Sequence, residues 1–202
     1  MKSKLTYIWD YYRYRIAFVI IGIFFVISIT YRISHNTDKD IYIGFVNVII
    51  GDELKTYMLE NSPLAIQSYE NLLLQDASGN NLQYTIASQT KILASIESHQ
   101  LDIVILDEDS WAAFSQNGYL LDIKKYIETN CPALDESLSD YYEMNIDLSD
   151  EENPKEYYSG INLNYNDKIR EAGFQGKVYF AIIKNTSRYE SINKYISYIF
   201  GT

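Results

Sequence analysis

A chain of 202 residues with 27 acids against 17 bases, and hence a net charge of −10, excludes a nucleic-acid binder, because phosphate neutralisation needs clustered Lys and Arg. One cysteine, Cys131, excludes an intrachain disulfide and a cysteine-rich metal centre. Apolar residues make up 47 % of the chain, which predicts a packed core and excludes wholesale disorder.

Residues 1–15 read as a short head rich in aromatic and basic side chains. The uncharged run Ile16–Tyr31 follows, fenced by Arg13 and Arg15 before it and Arg32 after it. At ~1.5 Å per residue it covers about 24 Å as a helix, and flanking Tyr and Arg suit an interface, so 16–33 is expected to be a single transmembrane helix. A cleaved signal peptide has a similar basic start, but Ser28-Ile29-Thr30-Tyr31 offers no A-x-A-like cleavage site. The head carries Lys2, Lys4, Arg13 and Arg15 against Asp10 alone. The positive-inside rule therefore places the N-terminus in the cytoplasm and the C-terminal domain outside the cell, on a single-pass membrane protein. Of the 17 bases five lie at or before Arg32, and of the 27 acids only Asp10 does, leaving 26 acids against 12 bases beyond it, a net charge near −14.

A short tether, 34–39, leads to a domain over 40–202. Asp40–Ile50 is β-branched, aromatic and nearly continuous in apolar character, as a central strand buried on both faces would be. Glu53–Glu60 reads as a helix broken by Ser62-Pro63, and residues 76–81 as a turn cluster. Leu82–Ala87 alternates and predicts a second strand; Ser88 caps a helix from Gln89 to about Ser98. Leu101–Leu106 predicts a third strand, followed by a helix Trp111–Gln116 that ends at Asn117-Gly118. Residues 130–153 hold eight acids and no base and read as a loop-rich excursion. Tyr157–Leu163 and Lys177–Ile183 predict strands, and Ser187 a cap for a closing helix to Phe200, with Ile192, Tyr195, Ile196 and Ile199 inward. Strand and helix alternating in this rhythm predict an α/β domain with a mostly parallel sheet.

The stretch Lys91–Asp107, with Phe114 and Asn117-Gly-Tyr-Leu-Leu-Asp-Ile123, resembles the extracellular solute-binding proteins of bacterial ABC importers, of the periplasmic-binding-protein type II-like kind. Val178–Asn185 and Glu190–Phe200 resemble that family's late strand and the helix after it. The Tyr7-x-Trp9-x-Tyr11-Tyr12 head also resembles small membrane-anchored solute-binding-like proteins. The resemblance implies an abbreviated, membrane-anchored lobe of such a protein. It further implies a small solute as ligand and an ABC-type permease or other membrane protein as partner, with the bilayer holding the anchor.

Ligands of parallel sheets bind beyond the carboxyl ends of the strands. That edge is expected to offer Asn47 and Asp52 after the first strand, Ser88, Gln89 and Thr90 after the second, and Asp107, Glu108, Asp109 and Trp111 after the third. The three consecutive acids suit a hard cation or a cationic solute, with Trp111 as a stacking face. They equally suit a solvated helix start, where the positive end of the dipole favours acids, and Trp111 equally suits a core. The run lacks EF-hand spacing, and no metal site is expected. No P-loop, G-x-G-x-x-G, G-x-S-x-G or H-E-x-x-H occurs, and His35 and His99 are the only histidines. The expectation is a non-enzymatic module with no catalytic residue and no cofactor, binding a small solute or modulating a transporter. The alternative is a structural or protein-interaction module at the cell surface that uses the acidic 130–153 segment.

Overall fold

The computed structural model describes residues 14–15, 17–28, 39–75, 81–150, 152–165, 169, 174 and 176–201. The chain divides into two compact units, Met1–Asp38 and Lys39–Thr202. In the first, helix α1 covers residues 17–28, and its side chains are exposed, among them Phe18, Phe24 and Phe25. The expected transmembrane helix over 16–33 is corrected here: among the described residues no helix is long and apolar enough to cross a membrane. Twelve residues of helix cover only ~18 Å of a hydrocarbon core near 30 Å. Of the expected anchor residues, Arg15 is described and exposed, while Arg13, Ile16, Tyr31 and Arg32 lie outside the described residues, as does most of the tether.

The second unit is built on six strands: β1 (Ile41–Val46), β2 (Ile66–Leu72), β3 (Ile103–Asp107), β4 (Tyr142–Asp147), β5 (Lys155–Asn162) and β6 (Val178–Ile182). They lie in the order β2-β1-β3-β6-β5-β4. β1 pairs in parallel with both β2 and β3, whereas β3–β6, β6–β5 and β5–β4 are antiparallel. The domain is α/β as expected, but the mostly parallel sheet is corrected to a mixed one. The reason is that β6 returns from the far end of the chain to lie against β3, and nothing local to Val178–Ile182 specifies the direction of that pairing.

Among the described residues, helices α2 (Asp52–Lys55, running on into a π-turn over Thr56–Glu60), α3 (Leu82–Glu97), α4 (Glu108–Gln116), α5 (Ile123–Asn130), α6 (Pro132–Leu138) and α7 (Tyr189–Phe200) cover this sheet. Strand alternation sorts the core into two clusters. Ile41, Ile43, Phe45, Ile103, Ile105, Phe180 and Ile182 point to the layer of α2, α5, α6 and α7. Val46, Val104, Leu106, Tyr179 and Ala181 point to α3 and α4. β1, β3 and β6 are thus buried on both faces, which is why they read as unbroken apolar runs. Each such side chain removed from water stabilises the fold by roughly 1.5–3 kcal/mol.

Tyrosines serve this packing through their two-ended chemistry. On α7, Tyr195 donates to the Met58 carbonyl (3.0 Å) and Tyr198 to the Tyr57 carbonyl (2.6 Å), satisfying oxygens of the π-turn. At the start of β3, Asp102 is wholly buried. Its carboxylate accepts from the Tyr42 amide (2.9 Å) and the Thr186 hydroxyl (2.6 Å), with the Arg188 guanidinium at 3.4 Å. One side chain thereby pins β1, β3 and the β6–α7 link together.

Two segments differ from expectation. Leu82–Ala87, expected as a strand, is the first half of α3, because its alternation also places Thr85, Ser88 and Ile92 on one helical face. The second strand is Ile66–Leu72, whose polar Gln67, Ser68 and Glu70 hide it from a hydropathy reading. The acidic 130–153 segment, expected as loop, forms α6, a 3-10 turn at Ser139–Tyr141 and β4. Its described acids lie on α6, on the 3-10 turn, on β4 and on the turn after β4, exposed or half-buried, so charge density concealed regular structure. Most of the expected turn cluster, 76–80, lies outside the described residues.

Candidate functional site

At the carboxyl ends of β1, β2 and β3 the strands open onto a cleft of about 550 Å³, lined among others by Asn47, Ile49, Asn71, Gln75, Tyr84 and Asp107. Asn47 follows β1 in the left-handed region (φ 55°), a conformation Asn tolerates better than most residues. Its Oδ1 accepts from the Leu74 amide (2.8 Å) and its Nδ2 donates to the Gln75 carbonyl (3.3 Å), so one side chain fastens the β2 exit to the β1 exit. Asn71 is left-handed as well (φ 59°), and its carbonyl accepts from the Tyr84 hydroxyl (2.7 Å), which brings the start of α3 to the rim. Asp107 ends β3 and caps α4, accepting from the Ser110 amide (3.0 Å). Among the described residues it is the one charged side chain in the lining, and none of them that line the cleft is a cation.

The nine expected ligand residues separate. Asn47 and Asp107 meet at this cleft. Glu108 and Asp109 are exposed on the first turn of α4, where Glu108 lies 3.9 Å from Lys177. Trp111 turns the other way: it is buried and stacks on Tyr179 with centroids 4.3 Å apart, against Gly160. It belongs to the core and offers no stacking face at the cleft. Asp52 is exposed on the first turn of α2. Ser88, Gln89 and Thr90 do not follow a strand but sit within α3; Ser88 is buried, Gln89 donates to the Leu74 carbonyl (2.7 Å), and Thr90 donates to the Ile86 carbonyl (2.8 Å). Among the described residues no three His, Cys, Asp or Glu side chains come together to hold a metal ion.

Asn71, Gln75 and Tyr84 escaped the sequence reading because β2 did. The turn-forming asparagines Asn71 and Asn81, bracketing the link between β2 and α3, were the available signal.

A wider cleft, about 870 Å³, lies by Asp40, Cys131–Leu134 and α7. Two of its polar side chains are already engaged: Asn193 accepts from the Tyr126 hydroxyl (2.6 Å), and Lys194 pairs with Glu190 (2.7 Å). Burial raises the Cys131 thiol above its ordinary range, which suits packing and not nucleophilic attack. The cleft at the strand ends is the better candidate, since parallel strands and two helix starts converge on it. No family model, no curated protein and no solved structure matches this chain.

Proposed function

We propose that this protein is a non-enzymatic binding module whose site is the cleft at the carboxyl ends of β1, β2 and β3. The observation that carries the reading is the convergence of Asn47 and Asp107, from two adjacent parallel strands, on a cleft of about 550 Å³. Among the described residues the lining combines the apolar Val48, Ile49, Leu72 and Leu73 with amides, the Tyr84 phenol and the Asp107 carboxylate, which favours a small, partly apolar uncharged or cationic solute and disfavours an anion. The cleft is open on one side, whereas small-molecule sites usually bury most of the ligand. A membrane protein such as a permease therefore supplies the missing wall, in the manner of a solute-binding-like module. The exposed apolar side chains of residues 17–28 support a working place at a membrane, and the strongly acidic second unit supports an extracytoplasmic one.

The test is a thermal-shift screen of the full chain against amino acids, sugars, short peptides and cations, because a ligand that binds only the folded state raises the melting temperature. A hit should weaken in Asp107→Asn, which keeps an α4 cap but removes the charge. A shift that survives this change places the ligand elsewhere, and no shift across the panel sinks the proposal.

A further inference from the structure

The polar side chains lining the cleft at the strand ends are not equally free. Both ends of the Asn47 amide are used, Oδ1 by the Leu74 amide (2.8 Å) and Nδ2 by the Gln75 carbonyl (3.3 Å), and the Tyr84 hydroxyl is donated to the Asn71 carbonyl (2.7 Å). Asp107 differs. Its Oδ1 accepts from the Ser110 amide (3.0 Å), but among the described residues its Oδ2 has no hydrogen-bond partner and its carboxylate no ion pair. Lys177, one residue before the Val178 that pairs with Asp107, reaches Glu108 instead (3.9 Å). Beside this carboxylate the cleft is aliphatic: Val48 and Leu72 are buried in its lining, Leu73 is half-buried, and Ile49 is 83 % exposed.

We infer that the ligand of this cleft is a primary or secondary amine in its ammonium form, its N–H donated to Asp107 Oδ2 and its compact apolar body laid on Val48, Ile49, Leu72 and Leu73. This ligand class presupposes the cleft as the binding site and narrows its occupant. A ligand that enters strips water from the carboxylate, and the loss is offset best by a charge-assisted hydrogen bond. An alcohol of the same shape returns only a weaker one, and a carboxylate returns repulsion. Asp107 itself caps α4, so the start of that helix is not open to an anion. The net charge of −10 draws cations towards the chain. A bare metal ion is the poorer cation, because hard ions need several oxygen ligands and Asp107 is the one described carboxylate in the lining.

The experiment compares three probes that share one aromatic body and differ in the head group: phenethylammonium, phenethyl alcohol and hydrocinnamate. Each is titrated into the full chain in a non-ionic detergent near neutral pH, and amide chemical shifts report where it binds. Phenethylammonium should shift residues 47–49 and 72–75 and bind about ten-fold tighter than the alcohol, with hydrocinnamate weakest. Asp107→Asn should bring the ammonium down to the affinity of the alcohol and leave the alcohol unchanged. Asp109→Asn, an exposed acid on the same turn, should change neither. Where Asp107→Asn lowers the melting temperature, Ile49→Lys sets a fixed ammonium in the cleft and should weaken the amine more than the alcohol. Shifts at the cleft with equal or tighter binding of the alcohol or hydrocinnamate would overturn the amine while leaving the cleft as the site. An equal loss in Asp109→Asn would overturn it too, by reducing the preference to the overall field. Shifts elsewhere, or none from all three probes, would sink both the amine and the cleft.

Discussion

The sheet consists of two halves that differ in how their strands are brought together. β2, β1 and β3 are parallel neighbours joined by helical crossovers. β6, β5 and β4 are antiparallel, and β6 comes from some 70 residues beyond β3. The parallel half ends in the cleft with its left-handed asparagines and capping aspartate; the antiparallel half ends in the acidic edge with its exposed Met144 and Ile146. The contrast shows that one sheet can place two chemically different surfaces at opposite ends, with β3 and β6 as the seam between them. The core either side of that seam is shared, so damage there should affect both halves, while damage at the edges should stay local.

The largest effect is expected at the seam. Phe180 on β6 is fully buried and meets Tyr195 and Phe200, with centroids at 6.4 and 5.2 Å. Phe180→Ala should destabilise the second unit by about 4 kcal/mol, read as a lower denaturant midpoint in one cooperative transition. Separate transitions for the two halves would break the picture of a common core.

Asp102→Ala should cost about 3 kcal/mol, because it orphans the Thr186 hydroxyl and the Tyr42 amide and takes the carboxylate partner from a partly buried Arg188, which keeps the His99 carbonyl. Amide exchange should quicken first at β1 and β3. An effect confined to β4–β5 would contradict this division of the sheet.

Two glycines compare the halves directly. A Cβ on Gly160 would sit 2.7 Å from Trp111 Nε1, a rigid ring already stacked on Tyr179, whereas one on Gly44 would meet the end of the Leu101 side chain at 2.9 Å. Gly160→Ala should cost about 2 kcal/mol and quench or shift Trp111 fluorescence. Gly44→Ala should cost about 1 kcal/mol, as a leucine methyl yields more readily than an indole.

The smallest effects concern acid stability. The Lys55 ammonium holds the Glu70 carboxyl below its ordinary range, and the Ser149 hydroxyl does the same for Asp147. A depressed carboxyl lends stability that is complete above the unfolded-state pKa and is lost as pH falls through the lower folded value. Glu70→Gln and Asp147→Asn should each flatten the acid limb of stability against pH. In 1 M salt the Glu70 contribution should fade, being largely ionic, while that of Asp147, resting on the Ser149 hydroxyl (2.6 Å) and amide (2.9 Å), should persist. Equal salt sensitivity at both edges would refute the difference in mechanism.

Legibility in the sequence followed the same division. β1, β3 and β6 were evident because burial on both faces demands unbroken Ile, Val and Phe. The Ile192, Tyr195, Ile196 and Ile199 face of α7 was evident because it repeats at helical spacing. β2 was not, since an edge strand tolerates polar residues, here Gln67, Ser68 and Glu70. Leu82–Ala87 was misjudged because a six-residue alternation is too short to separate a strand from one face of a helix. Of the site, Asn47 and Asp107 were readable as residues following apolar strands; Asn71 and Tyr84 were not, because their place depends on where β2 ends.

The sequence by itself determined the charge balance, the absence of a disulfide, the buried strands and the closing helix, because each depends on composition or on a period spanning a few neighbours. The tertiary structure decided the direction of β6, the ordering of the acidic segment into α6 and β4, and the turning of Trp111 into the core. Those depend on long-range pairing and on which face of an element finds a partner. Such choices are made by packing between segments far apart in the chain, and no local pattern encodes them.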